Sequence, residues 1–200
     1  GTNSVVAQLL AGKVPVLSAS DLYLNEHREY GLSTYSKHSD GSGVAISSRL
    51  RPILNMRPKY RHWLSPSLWQ LNADLHLTDW LEEKKIDFDV VTDEDLHLEG
   101  VELLNRYKCV LTGSHPEYSS EKMLAAYEQY QLNGGRWIYL GSDGFYWISE
   151  YHPDNPNIIE VRKGEAGTRA WTANPGEYNN AFDGKYGGMW RARGRIPSKV

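Results

Sequence analysis

Helix-type and strand-type patterns alternate between residues 65 and 148, and this alternation limits the folds open to the chain. Short apolar runs that suit buried strands are separated by longer stretches whose apolar residues recur at helical spacing. The predicted strands cover residues 88–91, 107–112 and 137–140. Strands joined through helices run parallel and carry helices on both faces, so the sequence predicts an α/β fold with a parallel sheet flanked by helices.

The predicted helices carry their own start and stop signals. Ser65-Pro66 opens the first helix, because proline is favoured at the first helical position. Thr92 suits the cap of the second helix and Ser119 the cap of the third. Gly134-Gly135 then stops the third helix just before the last predicted strand.

The patterns divide residues 1–200 into three parts of a single, partial α/β domain. Residues 1–64 are predicted to be irregular, residues 65–148 form the βαβ core, and residues 149–200 form an irregular C-terminal excursion. The chain begins at Gly1 without an initiator methionine and stops at Val200 without a capped helix or closing strand. We therefore expect it to be an excised portion of a longer polypeptide.

Composition restricts the partners of the chain. Apolar residues make up 40%, charged residues 24%, and the formal net charge is −3, so we expect no nucleic-acid partner. Arg191, Arg193 and Arg195 alternate, but subunit contacts or carboxylate pairing explain them more simply. No run approaches the roughly 18 to 20 apolar residues of a membrane helix, and no signal peptide is recognisable, so we expect a cytoplasmic protein without a membrane partner.

The best candidate for chemistry is the polar loop of residues 114–118, which follows the strand of residues 107–112. His115 and Glu117 lie there, where open α/β sheets place their ligands. Asp143 follows the next strand, so the three side chains are expected to share one crevice if the strands are neighbours. An alternative is that Glu117 only complements the positive N-terminus of the next helix.

Other residues give weaker signals. Cys109 lies inside an apolar run and is predicted to be a core thiol, and no Gly-x-Ser-x-Gly sequence is present, so a serine or cysteine hydrolase is not supported. Gly41 and Gly43 form only half of a dinucleotide fingerprint. Asp40 is predicted to be a turn residue rather than a calcium ligand.

Several long motifs, in the same order from about Tyr23 to Arg195, closely resemble the large subunit of the N,N-dimethylformamidase family. The resemblance implies a glutamine-amidotransferase-like, flavodoxin-like fold with long irregular excursions. The motifs are EYGLSTYSKHSDGSG at residues 29–43, SSRLRP at 47–52, GSHPEY at 113–118, GSDGFYW at 141–147, GEAGTRAW at 164–171 and GGMW at 187–190.

The resemblance also implies a mononuclear ferric iron (Fe³⁺) held by two tyrosines and a glutamate. By motif, Glu117 matches the carboxylate ligand and Tyr35 one phenolate ligand, so residues 1–64 become a metal-ligand segment. His115 matches the histidine beside the iron, which supports the ligands or acts in catalysis. Asp143 stands where the family carries an asparagine. The other tyrosine ligand is expected before Gly1, with Tyr23 as a weaker substitute.

The function implied is hydrolysis of the C–N bond of a small, dimethylformamide-like amide by an iron-dependent amidohydrolase. The expected partners are the small amide substrate, the remaining domains of the parent chain, a small subunit and further copies of the protein. The fragment alone is expected to hold an incomplete iron site. An alternative of a different class is a non-catalytic, amidotransferase-like module that binds a small molecule or a protein partner.

Overall fold

A computed structural model describes residues 18–60, 68, 70–141, 144–163 and 177–193. Within these residues the chain is a mixture of helices and short strands. The helices are α1 (Ala19–Glu26), α2 (Leu71–Glu83), α3 (Asp93–Glu99), α4 (Val101–Leu104), α5 (Glu121–Leu132) and α6 (Trp190–Arg193), with 3₁₀ turns at Arg28–Tyr30 and Leu54–Met56. The strands are β1 (Ile46–Ser48), β2 (Cys109–Leu111), β3 (Tyr118–Ser119), β4 (Arg136–Ile138), β5 (Trp147–Ile148), β6 (Glu150–His152) and β7 (Asn155–Glu160).

The core lies where α3, α4 and α5 pack together. Thr92 caps α3 through a capping box with Asp95, as the sequence predicted. Gly100, at φ 63°, then separates α3 from α4, so the predicted second helix is two short helices. The buried side chains of the core come from these three helices and from β6: Leu96, Leu103, Leu104, Met123, Ala126, Tyr130 and Tyr151.

Two pairs of parallel strands position the candidate loop. Strand β2 pairs with β4, and the helix α5 lies between them in the chain, which is the βαβ order that the sequence predicted. Strand β3 follows the loop after β2, and strand β5 follows the loop after β4. Strands β3 and β5 pair in parallel, so the two loops end side by side. Parallel pairing therefore brings residues 112–118 to the same side of the molecule as residues 139–141 and 144–147.

The prediction of one parallel sheet is only partly confirmed. The described residues form three small sheets, and the largest is an antiparallel sheet in the order β1-β7-β6. Its strands come from the segments predicted to be irregular, before residue 65 and after residue 148. Pro153 and Asp154 form the turn of a local hairpin between β6 and β7, which the alternation of helix and strand patterns did not predict.

Three details of the predicted core are corrected. Residues 88–91 form no strand, and Val90 is 74% exposed, because the described chain places no pairing strand against them. Ser119 belongs to β3, and the neighbouring Ser120 caps α5. Helix α2 begins at Leu71, whereas the predicted start at Ser65-Pro66 lies outside the described residues.

Other local predictions agree with the structure. Gly134 takes φ 86° directly after the end of α5, as a helix stop requires. The carboxylate of Asp40 accepts hydrogen bonds from the backbone and hydroxyl of Ser42, so Asp40 is a turn residue. Cys109 is a free thiol, but it is only half-buried, so the prediction that it lies in the core is only partly confirmed. In the part of the chain that is described, no helix combines the length and apolar character needed to cross a membrane.

Candidate functional site

The loop after β2 is fixed at both ends by hydrogen bonds. The N–H of Thr112 donates to the carbonyl of Ile138 at 3.0 Å, which continues the parallel pairing with β4. The N–H of Ser114 donates to the carboxylate of Asp74 on α2 at 2.6 Å. The N–H of Glu117 donates to the carbonyl of His115 at 2.8 Å, which makes a tight turn. The loop therefore presents its side chains from a defined backbone.

The predicted pair His115 and Glu117 is in contact. The His115 Nε2 atom lies 3.3 Å from the Glu117 Oε2 atom, and both side chains are largely buried. The other carboxylate oxygen, Oε1, accepts a hydrogen bond from the indole Nε1 of Trp147 at 3.1 Å. Glu117 is thus held from two directions, and it does more than face the N-terminus of α5.

The second loop closes over the first. The N–H of Phe145 donates to the carbonyl of Pro116 at 2.8 Å, and the N–H of Tyr146 donates to the carbonyl of Glu117 at 3.0 Å. A Cβ atom built on Gly141 would lie 2.2 Å from the ring of Pro116, so only glycine fits this approach. The expected meeting of the two loops is confirmed, but Asp143 lies outside the described residues.

Tyr35, which is distant in sequence, lies beside the loop that carries His115 and Glu117. Its N–H donates to the buried Ser33 hydroxyl at 3.1 Å, and the N–H of Ser36 donates to the Ser33 carbonyl at 2.8 Å, which defines a turn. The Tyr35 hydroxyl is in direct contact with the hydroxyl of Tyr118, the residue next to Glu117. The structure therefore brings Tyr35, Glu117 and His115 into one cluster.

Tyr118 was not predicted as a site residue, although its position beside Glu117 at the start of a strand was a usable signal. Burial raises the pKa of Tyr118 well above its usual value, and the nearby Tyr35 and Glu117 raise it further. The phenol of Tyr118 keeps its proton, because its ionisation would crowd negative charge beside the carboxylate of Glu117. A bound cation would relieve this crowding.

Lys163 is the other residue that the sequence interpretation missed. Its side chain is 2% exposed, and its Nζ atom lies 3.1 Å from the centroid of the Tyr35 ring. Burial lowers the pKa of Lys163 to about 7, while the carboxylate of Glu117 acts in the opposite direction. Alternate residues of an extended chain share a face, so the apolar Val161 two positions earlier was the signal in the sequence that Lys163 faces inward.

The predicted substitute ligand Tyr23 lies elsewhere. Its hydroxyl is 3.3 Å from that of Tyr30, and its ring packs on His27 with centroids 4.0 Å apart. The ring is half-exposed on the helix α1. Tyr23 therefore does not join the cluster around Glu117.

The donor chemistry of the cluster fits a hard cation. The described residues contain no group of three or more His, Cys, Asp and Glu side chains that could hold a metal ion. The cluster instead offers oxygen atoms from a carboxylate and two phenols, those of Glu117, Tyr35 and Tyr118. Carboxylate and phenolate oxygens are hard ligands, which suit a ferric ion better than a soft metal.

This geometry defines the class of protein: an α/β domain whose loops carry a cluster of phenols and a carboxylate. The family model described as "N,N-dimethylformamidase beta subunit-like, C-terminal" matches residues 17–200, and the chain belongs to this family. Proteins named N,N-dimethylformamidase beta subunit, from Alcaligenes sp and Paracoccus aminophilus, are each 49% identical to the chain over 196 residues. These 196 residues are 98% of the chain and 26% of each relative.

Proposed function

We propose that the chain is part of a longer amidohydrolase and supplies iron ligands and a proton-transfer group for hydrolysis of a small amide such as dimethylformamide. The observation that carries the proposal is the contact between Tyr35 and Tyr118 beside Glu117, because it gathers hard oxygen donors at a loop edge. The names of the 49% identical relatives support the substrate class. The relatives are also named as subunits, which supports a partner subunit in the proposed enzyme.

In this proposal Glu117 and Tyr35 hold the ferric ion, and Tyr118 is a further oxygen donor within reach of Tyr35. When bound there, a ferric ion would polarise an amide carbonyl and lower the pKa of a water molecule. The indole of Trp147 keeps one oxygen of Glu117 in place. The remaining ligands come from other parts of the longer polypeptide.

His115 moves the proton in the proposed reaction. Its Nε2 atom lies 3.3 Å from Glu117, so it is held at the edge of the oxygen cluster. The oxygen of water bonds to the carbonyl carbon, the C–N bond breaks, and His115 passes the proton of the water to the leaving nitrogen. The products are a carboxylic acid and an amine, so atoms and charge balance. Asp143 is proposed as a second catalytic residue, because it stands where the family carries an asparagine.

The iron content of purified full-length protein tests the ligand assignment. We expect the wild type to carry iron and the Tyr35→Phe and Glu117→Ala variants to lose most of it, because each change removes an oxygen donor. Tyr23→Phe is the matched control, since the Tyr23 hydroxyl contacts Tyr30 instead, and it should keep the wild-type content. Unchanged iron in both Tyr35→Phe and Glu117→Ala would sink the assignment and favour the non-catalytic binding module.

A further inference from the structure

Lys163 packs its charged end onto the face of Tyr35. The Nζ atom lies 3.1 Å from the centroid of the Tyr35 ring, 5.3 Å from that of Tyr118 and 5.4 Å from that of Trp147. Cations are attracted to the negative faces of aromatic rings, and the attraction is stronger where water is excluded. At 2% exposure, Lys163 is in such a dry environment.

The backbone that leads to Lys163 is a strand, whereas the backbone at Tyr35 is a turn. Lys163 follows β7, and the N–H of the intervening Val161, a fully buried residue, donates to the carbonyl of Ala45 at 2.8 Å. Tyr35 lies in a turn between residues 33 and 36, with no strand or helix to fix its ring. A side chain anchored just beyond the end of a strand thus holds a side chain carried by a turn.

Lys163 also connects Tyr35 to the carboxylate of the cluster. The Nζ atom of Lys163 lies 5.4 Å from the centroid of the Trp147 ring. The indole of Trp147 in turn donates a hydrogen bond to Glu117 at 3.1 Å. The ammonium group is therefore linked to both proposed iron ligands, to Tyr35 directly through its ring face and to Glu117 through Trp147.

We propose that Lys163 is a positioning residue that fixes the ring of Tyr35 so that its hydroxyl stays at Tyr118, on the side of Glu117. Its consequence for iron binding rests on the proposed function, whereas its effect on the ring of Tyr35 does not. The role belongs to the side chain as a cation, since a neutral chain of similar length would fill the same volume without attraction to the ring face.

The test compares Lys163→Met with the wild type in full-length protein. Methionine is close to lysine in length and apolar, so it fills the space without the charge. In crystals of the metal-free protein, we expect Tyr35 in Lys163→Met to leave Tyr118 or to adopt more than one conformer. In solution, we expect the affinity for ferric ion to fall about 10- to 100-fold, as for other groups that orient metal ligands.

Two further variants serve as controls. Lys163→Arg keeps a cation that stacks on aromatic faces, and it should retain more iron affinity than Lys163→Met. Lys185→Met removes an exposed lysine that pairs with Glu121, and it should match the wild type in both measurements. If Lys163→Met does not fold, Lys163→Gln replaces it with the same expected results.

The proposal is overturned if Tyr35 keeps its wild-type position in metal-free crystals of Lys163→Met, or of Lys163→Gln where that variant replaces it. It is also overturned if that variant binds ferric ion with wild-type affinity while Tyr35→Phe does not. A wild-type protein that binds no iron would refute the proposed function instead. The position of the Tyr35 ring in metal-free crystals would still decide the role of Lys163, so the two failures are distinguishable.

Discussion

His97 is a buried histidine whose neighbours disfavour its charged form. Its Nδ1 atom lies 2.7 Å from the Ser120 hydroxyl, its Nε2 atom lies 3.8 Å from a Glu150 oxygen, and its ring packs on Tyr151. Burial lowers the pKa of His97 to about 4, and the positive charge of Lys122 adds to the effect. The order serine, histidine, carboxylate looks like a hydrolase triad, but Ser120 is fully buried and caps α5, so the arrangement is structural.

His97 should make the stability of the fold depend on pH. Its pKa is about 4 when folded and about 6.5 when unfolded, so below pH 6.5 the unfolded state binds the proton first. Stability from this group is complete above about pH 6.5, declines as the pH falls, and is lost near pH 4. The loss amounts to roughly 3 kcal/mol. We would measure the free energy of unfolding of the wild type and of His97→Gln between pH 6.5 and pH 4 to check this predicted loss.

The exposed His38 supplies the control for this measurement. His38→Gln should follow the wild-type pH dependence, whereas His97→Gln should show a shallower loss of stability with acid. Equal pH dependence in the wild type and His97→Gln would show that His97 does not carry the effect.

At the scale of elements, capping boxes start both α3 and α5, closed by the carboxylate of Asp95 in α3 and by the sulfur of Met123 in α5. Thr92 caps α3 at an exposed end, and Ser120 caps α5 at a buried end, where its hydroxyl also meets His97. A cap alone contributes about 1 kcal/mol. Ser120 caps its helix and also forms a buried hydrogen bond with His97. Loss of this bond leaves the His97 ring nitrogen unsatisfied.

Ser120→Ala should therefore cost more stability than Thr92→Ala. We expect about 1 kcal/mol for Thr92→Ala and about 2 to 3 kcal/mol for Ser120→Ala, measured by denaturant unfolding at neutral pH. Both variants remove a hydroxyl that caps a helix, and only Ser120→Ala also removes the buried contact with His97. Equal costs would mean that this contact contributes nothing to stability.

The sequence predicted elements best where local chemistry alone determines them. The cap at Thr92 and the stop at Gly134 follow from side-chain hydrogen bonding and from backbone conformation, so they were readable from a few residues. Residues 88–91 have strand composition, but a strand also needs a neighbour, and the described chain pairs nothing with them. Strand β1 was missed because its partner, β7, lies more than 100 residues away in sequence.

At the scale of the whole molecule, the site is assembled from four segments of the chain, at residues 35, 115–118, 147 and 163. His115 and Glu117 were predicted from their position after a strand and Tyr35 from a family resemblance, and the structure gathers the three at one place. Tyr118, Trp147 and Lys163 were not predicted, because their roles depend on contacts between those segments. The Tyr35 and Tyr118 hydroxyls, for example, meet across 83 positions of sequence.

Amine release from dimethylformamide by iron-loaded, full-length protein tests the central claim most directly. We predict activity in the wild type and a fall in kcat/KM of about 100-fold or more for Glu117→Gln, which keeps the shape of the side chain but weakens it as a metal ligand. Glu121→Gln, four residues further on and paired with the exposed Lys185, is the control and should retain wild-type activity. Wild-type activity in Glu117→Gln would contradict the assignment of this cluster as the site of amide hydrolysis.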